Sequence, residues 1–128
     1  MNADFLNSTN KHIDLGGYGR YPEALNITAA DPGIVPYNHI DDYFQAASPK
    51  LPASSIDRIT IESAPYTDDI LAEVKRITKG GGSVELEHPI GVISDYNTIA
   101  NKVNGNIISI ETVVKDGLEY TRATIEKL

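Results

Sequence analysis

Residues 56–87 constrain the fold more than any other part of the chain. Ile56-Asp57-Arg58-Ile59-Thr60-Ile61-Glu62 alternates β-branched and polar residues, the pattern of a strand. After a loop at Ser63–Tyr66, Thr67 is suited to cap a helix whose first turn carries Asp68 and Asp69, where negative charge meets the positive end of the helix dipole. Ile70, Leu71, Val74 and Ile77 recur at helical spacing, and Lys75, Arg76 and Lys79 gather toward the other end. Gly80-Gly81-Gly82 predicts the helix stop, and Ser83–Glu87 a further strand closed by His88-Pro89. A strand, a helix and a strand in succession imply adjacent parallel strands, because a parallel pair needs a crossover of about a dozen residues or more. The expected class is therefore α/β.

The flanking segments extend that sheet. His12–Leu15 reads as a short strand that runs into the glycine-rich turn Gly16–Pro22, and Ala24–Thr28 as a second strand. Asp31-Pro32-Gly33 is turn chemistry, a third strand is expected around His39–Phe44, and Ser48–Ser55 is a loop. Beyond the central unit, Ser94 is expected to cap a helix over Asp95–Val103, which Asn104-Gly105 ends. Asn106–Val114 and Leu118–Ile125 alternate around Lys115-Asp116-Gly117, a hairpin signal.

The chain has 128 residues, which fits one domain over 12–128 behind an N-terminal arm, 1–11. Eleven basic residues stand against 18 acidic ones, a net charge of −7, which disfavours nucleic acid because phosphates are neutralised by Lys and Arg. The absence of cysteine removes disulfides and thiolate chemistry. No apolar run approaches the ~20 residues of a membrane span, and the first residues lack a leader's basic-then-apolar pattern. A cytoplasmic protein without membrane contact is expected.

In an open parallel sheet, ligands sit beyond the carboxyl ends of the strands. Asp14, Asn26, Glu62 and His88 all fall at such ends, so they are expected to converge. Glu62 and His88 end neighbouring strands, and a carboxylate beside an imidazole is a minimal kit for acid–base work near neutral pH. Arg20, just past the glycine loop, is suited to hold an anion. Tyr18, Tyr21 and Tyr66 border the same cleft and can stack on a base. Each has a plainer alternative: a tight turn, a strand-ending histidine, a capping glutamate, a solvated arginine, surface tyrosines. His12 and His39 give no zinc spacing, and Glu85 and Glu87 read as one solvent-facing strand face, so no metal site is expected.

The order of elements resembles the class I S-adenosylmethionine-dependent methyltransferase domain over residues 12 to 125. Ile13-Asp14-Leu15-Gly16-Gly17-Tyr18-Gly19 is similar to that family's first motif. Leu51-Pro52 with Ser55–Ile59 is similar to its approach to the fourth strand, and Leu71–Gly82 to its helix and glycine stop. The resemblance implies a minimal Rossmann-like sheet, mostly parallel with a C-terminal antiparallel hairpin. It implies S-adenosylmethionine as cofactor, held by Asp14, Gly16, Gly17, Gly19, Asn26 and Tyr66, with Glu62, His88 and Arg20 in the chemistry.

A narrower resemblance joins residues 12–22, Ala24–Ile27, Glu62–Pro65 and His88-Pro89 to compact methyltransferase-like modules at the C-termini of bacterial polymorphic toxins of the contact-dependent inhibition and RHS types. It implies a payload delivered to a target cytosol and a cognate immunity protein. The chain departs from the family pattern in its adjacent Gly16 and Gly17, in Asn26 where an acid would bind ribose hydroxyls, and in Ala47 and Ser48 where another acid is usual. Two alternatives follow from these departures: a toxin nuclease or hydrolase using the same cleft without cofactor, and a degenerate module that only binds a protein.

Overall fold

A computed structural model describes residues 9–16, 21, 24–28, 39–41, 51–62, 66–90 and 95–128. Within them the chain runs β1 (His12–Leu15), β2 (Leu25–Thr28), β3 (His39–Asp41), β4 (Ile56–Glu62), α1 (Asp68–Ile77), β5 (Thr78–Pro89), α2 (Tyr96–Val103), β6 (Gly105–Lys115) and β7 (Leu118–Lys127). The strands form one sheet in the order β3-β2-β1-β4-β5-β7-β6. β1 to β5 pair in parallel, and β7 lies antiparallel between β5 and β6. The expected α/β sheet with its terminal hairpin is therefore present. Gly17, Gly19 and Arg20 lie outside the described residues, as do most of the expected arm and residues Tyr18, Ala47 and Ser48.

Local chemistry explains the helix ends, with two corrections. Thr67 caps α1 as expected, its side chain accepting from the Ile70 amide at 3.4 Å. At the far end α1 stops at Ile77, not at the glycines. Thr78 leaves the helical conformation and its hydroxyl donates to the Val74 carbonyl at 2.6 Å. Gly80–Gly82 instead lie inside β5, where the pairing with β4 jumps from Ile56 opposite Thr78 to Arg58 opposite Ser83. This is an irregularity that glycine eases: Gly81 has φ +84°, and a Cβ on Gly82 would stand 3.0 Å from the Asp57 carbonyl oxygen. The cap of α2 is Asp95 rather than Ser94, because its carboxylate accepts both the amide and the hydroxyl of Thr98. Asn104 closes that helix in the left-handed region at φ 58°.

The pleat gives the central sheet two unlike faces. Ile13 and Leu15 of β1, Ile59 and Ile61 of β4, Val84 and Leu86 of β5, and Ala123 and Ile125 of β7 point to one side. There they join Ile70, Leu71, Val74 and Ile77 of α1 with Ile99, Ala100 and Val103 of α2 in one buried core. The alternate positions, His12, Asp14, Arg58, Thr60, Glu62, Glu85, Glu87 and Arg122, face the other way. A buried parallel sheet is ordinarily apolar on both faces. This one is not.

Gly105 marks the tightest approach in the hairpin layer. A Cβ there would lie 2.5 Å from Ile125 Cγ2 and 2.7 Å from the Glu126 carbonyl oxygen, and the second atom is backbone that cannot swing aside. Gly105→Ala is expected to lower the unfolding free energy by about 1–3 kcal/mol, read from the urea midpoint. An unchanged midpoint would show that β6 and β7 separate freely.

Candidate functional site

The polar face converges at the carboxyl ends of β1, β4 and β5. Asp14 stands opposite Thr60 on β4, and Glu62 opposite Glu87 on β5. Asp14, Thr60 and Glu87 are completely buried, and His12 and Glu62 nearly so. Because buried polar atoms must be satisfied from within, their hydrogen bonds trace the site.

From the β1 side, His12 Nε2 lies 2.9 Å from Thr60 Oγ1, which lies 2.6 Å from Asp14 Oδ1. The hydroxyl has one proton, so the arrangement that satisfies all three groups has His12 donating to Thr60 and Thr60 donating to Asp14. Tyr21 closes over this row, its ring edge-on to His12 at 4.8 Å and under the Arg58 guanidinium at 5.0 Å. Its hydroxyl reaches Glu87 Oε1 at 3.4 Å.

Cations come in from the hairpin. Lys115, the last residue of β6, places its ammonium 3.1 Å from Glu62 Oε1 and also bonds Glu87. Arg122 of β7 holds Glu87 Oε1 at 2.8 Å. Arg58 pairs with Glu85. The expectation that Glu85 and Glu87 form a solvent-facing strand face is therefore corrected: β7 covers that edge, and Arg58, Lys115 and Arg122 supply the countercharge.

Burial would raise the Glu87 carboxyl, but hydrogen bonds from Lys115 and Arg122 outweigh it and hold the group below its ordinary value. Asp14 has no such help. Burial first, then the neighbouring Glu62 carboxylate, push it up to about 8 against the opposing Thr60 hydrogen bond. Its Oδ2 is buried and meets no donor among the described residues. The Tyr66 hydroxyl, just past β4, is likewise buried without a partner among them, and burial raises it to about 12.

Of the sequence-predicted set, Asp14 and Glu62 fall at this end of the sheet, while Tyr66 follows β4 and packs against the apolar core. Gly16 follows β1 with φ +74°, and its amide donates to the Ile27 carbonyl at 3.1 Å. Asn26 is on β2 directly opposite Asp14 in the register.

His88 does not join them. Glu62 pairs with Glu87, so the alternation of β5 sends His88 to the helix-covered face. There its ring stacks on Tyr96 of α2 at 5.7 Å, Nε2 meets the Tyr96 hydroxyl, and Nδ1 lies 3.3 Å from the Pro89 carbonyl oxygen. Both ring nitrogens are satisfied if Nδ1 carries the proton and Tyr96 donates to Nε2. The expected meeting of Glu62 with His88 is not formed.

Lys115, Arg122 and Thr60 were not singled out from the sequence. Thr60 is two residues before Glu62 on the same strand face, a signal that was available. Lys115 and Arg122 depend on the strand order.

No family model matches the sequence, and no curated protein matches it either. Solved structures do. The chain is similar to an S-adenosylmethionine-dependent methyltransferase from Archaeoglobus fulgidus, with a TM-score of 0.75 at 11% identity, over 96% of this chain and 88% of that one. This is the class I methyltransferase fold. A TehB-like methyltransferase from Corynebacterium glutamicum gives 0.66 at 15% identity, over 93% and 80%. The 1,6-didemethyltoxoflavin-N1-methyltransferase of Burkholderia thailandensis, solved with S-adenosylhomocysteine bound, gives 0.65 at 9% identity, over 92% and 71%. Among the described residues, no helix is long and apolar enough to cross a membrane.

Two outcomes follow from the electrostatics. The folded Asp14 binds its proton more tightly than the unfolded chain does, so its contribution to stability is fully present below about pH 4 and is lost as pH rises toward 8. Thermal unfolding between pH 5 and 8.5 should show a decline of up to about 1.4 kcal/mol per pH unit that Asp14→Asn flattens. An equal slope in both proteins would exclude a proton on Asp14. Conversely, Lys115→Met leaves Glu62 and Glu87 short of a buried cation and should cost roughly 3 kcal/mol at pH 7 in urea titrations. Glu87's part in that loss fades as pH falls below its unfolded value of 4.5.

Proposed function

We propose that the chain binds S-adenosylmethionine at the carboxyl ends of β1, β2 and β4 and works as a methyltransferase-type domain. The observation that carries this reading is Asp14: a fully buried carboxyl, at the end of the first strand, with an oxygen that meets no donor among the described residues. Such an oxygen suits a positively charged ligand group, and S-adenosylmethionine carries an ammonium and a sulfonium. Gly16, at φ +74°, takes at the strand end a conformation that glycine adopts without strain. The Tyr66 hydroxyl offers a second polar contact. Asn26, opposite Asp14 in the register, joins the set as a weaker acceptor for ribose hydroxyls than a carboxylate. Gly17, Gly19 and Arg20 complete the proposed set from the sequence.

When bound, the cofactor supplies a methyl group on a sulfonium, open to displacement by an acceptor nucleophile. The protein's own part is to bind and orient, and to exclude water by closing Tyr21 over the row from His12 to Glu87. Glu62, at the strand end with Lys115 on its other side, is the carboxyl available to take a proton from an acceptor. The cofactor-free hydrolase reading needed Glu62 and His88 to act together, and their places on opposite faces take away its support. The toxin-payload reading, with its immunity partner, rests on the short motif runs alone. Growth arrest on expression inside bacterial cells would support it, and normal growth would count against it.

Isothermal titration with S-adenosylmethionine and S-adenosylhomocysteine tests the main reading. Dissociation constants on the order of micromolar are expected, with about tenfold weakening by Asp14→Asn. Absence of binding by a folded protein to both compounds would sink it.

A further inference from the structure

Among the described residues, the charges on the polar face pair off with one carboxyl left over. Arg58 takes Glu85, while Lys115 and Arg122 between them take Glu62 and Glu87. Among the described residues Asp14 receives the Thr60 hydroxyl and no cation, its Oδ2 is buried without a donor, and Glu62 follows Thr60 on the same face of β4. Neighbouring carboxyl groups away from water cannot all carry full charge, and a proton held by one of them relieves the repulsion. Which of them bears it is set by the surroundings. Glu62 has the Lys115 ammonium at 3.1 Å, while Asp14 has no cation among the described residues, so the proton belongs to Asp14.

We propose that this proton is the counterion of the ligand-free site and that a cationic ligand group takes its place, so that capture of the ligand is an exchange of cation for proton. The inference rests on the reading of the site given above, and adds to it a selection by charge. A neutral group placed at Asp14 leaves the proton where it is and gains no ion pair. A cationic group finds a carboxylate whose neighbour Glu62 is already balanced by Lys115.

Among the described residues, the groups around Asp14 are Thr60 of β4 with His12 behind it, Glu62 on β4 and Glu87 on β5; Lys115, Arg122 and Tyr21 lie beyond, against Glu62 and Glu87. Glu87 is held charged by Lys115 and Arg122, and Tyr21 is pushed to about 12, so neither exchanges a proton in the neutral range. The elevation of Asp14 to about 8 agrees with a proton present at pH 7.

The test is titration calorimetry with S-adenosylmethionine at pH 7.0 in two buffers of different ionisation enthalpy, repeated from pH 6.0 to 7.2. That range stays below the titration of an α-amino group, about 7.7–8.0 in peptides. Release of close to one proton per ligand is expected, with affinity rising up to about tenfold per pH unit. Asp14→Asn should abolish both effects. If that variant fails to fold, Glu62→Gln serves, since removing the like charge makes the proton easier to lose and reduces the number released at pH 7. Binding with equal heats in both buffers and a constant affinity would overturn the exchange while leaving the cofactor reading intact. Failure of the folded protein to bind at any pH would overturn both.

Discussion

A carboxylate buried against a sheet must find a donor or keep a proton, and that constraint organises the polar half of this protein. Among the described residues, the sheet packs its apolar core with α1 and α2 on one face. On the other, His12, Asp14, Thr60, Glu62 and Glu87 are shut away from water and depend on one another. Lys115 and Arg122 reach in from the hairpin because β7 and β6 lie next to β5, so the antiparallel end of the sheet does more than widen it. It supplies the positive charge that lets Glu62 and Glu87 be buried. Removing either cation would leave a charge without compensation in a region of low polarity, where such a loss is felt most.

The same constraint concentrates reactivity at one place. Hydrophobic packing by α1 and α2 fixes β1, β4 and β5 from behind, so the side chains on the opposite face have defined positions. Among the described residues, Asp14 is the carboxyl of this network that no cation meets, and it lies at the end of a strand, where an open parallel sheet admits ligands. Titratable groups at functional sites are commonly displaced from their ordinary values in this way.

His88 and Glu62 show how far local reading goes. Both end strands, and both were expected at one cleft on that ground. The alternation along β5 makes neighbours Glu87 and His88 point to opposite faces, so only one of them can join Glu62. Which one is decided by the register between β4 and β5. That register is set through the irregularity at Gly80–Gly82, whose glycines look from the sequence like a helix stop. A slip of one residue there would exchange Glu87 for His88 across the whole face. Glu87 misled for a related reason: its burial comes from β7, a strand that starts about thirty residues later in the chain.

What the sequence by itself determined is the set of elements and the two-sided character of the strands. The β-branched alternation of Ile56–Glu62, the helical spacing of Ile70 to Ile77 and the turn at Lys115–Gly117 are local signals, and local backbone preference with side-chain periodicity suffices to read them. The acid before the glycine turn was legible too, since Asp14 and Gly16 lie within one turn of chain. Only the tertiary structure decided that Asp14 meets Glu62, that Lys115 and Arg122 balance the carboxyls, and that His88 turns away to Tyr96. Those facts depend on strand order and register, which arise from packing between segments far apart in sequence and have no signature in any one of them.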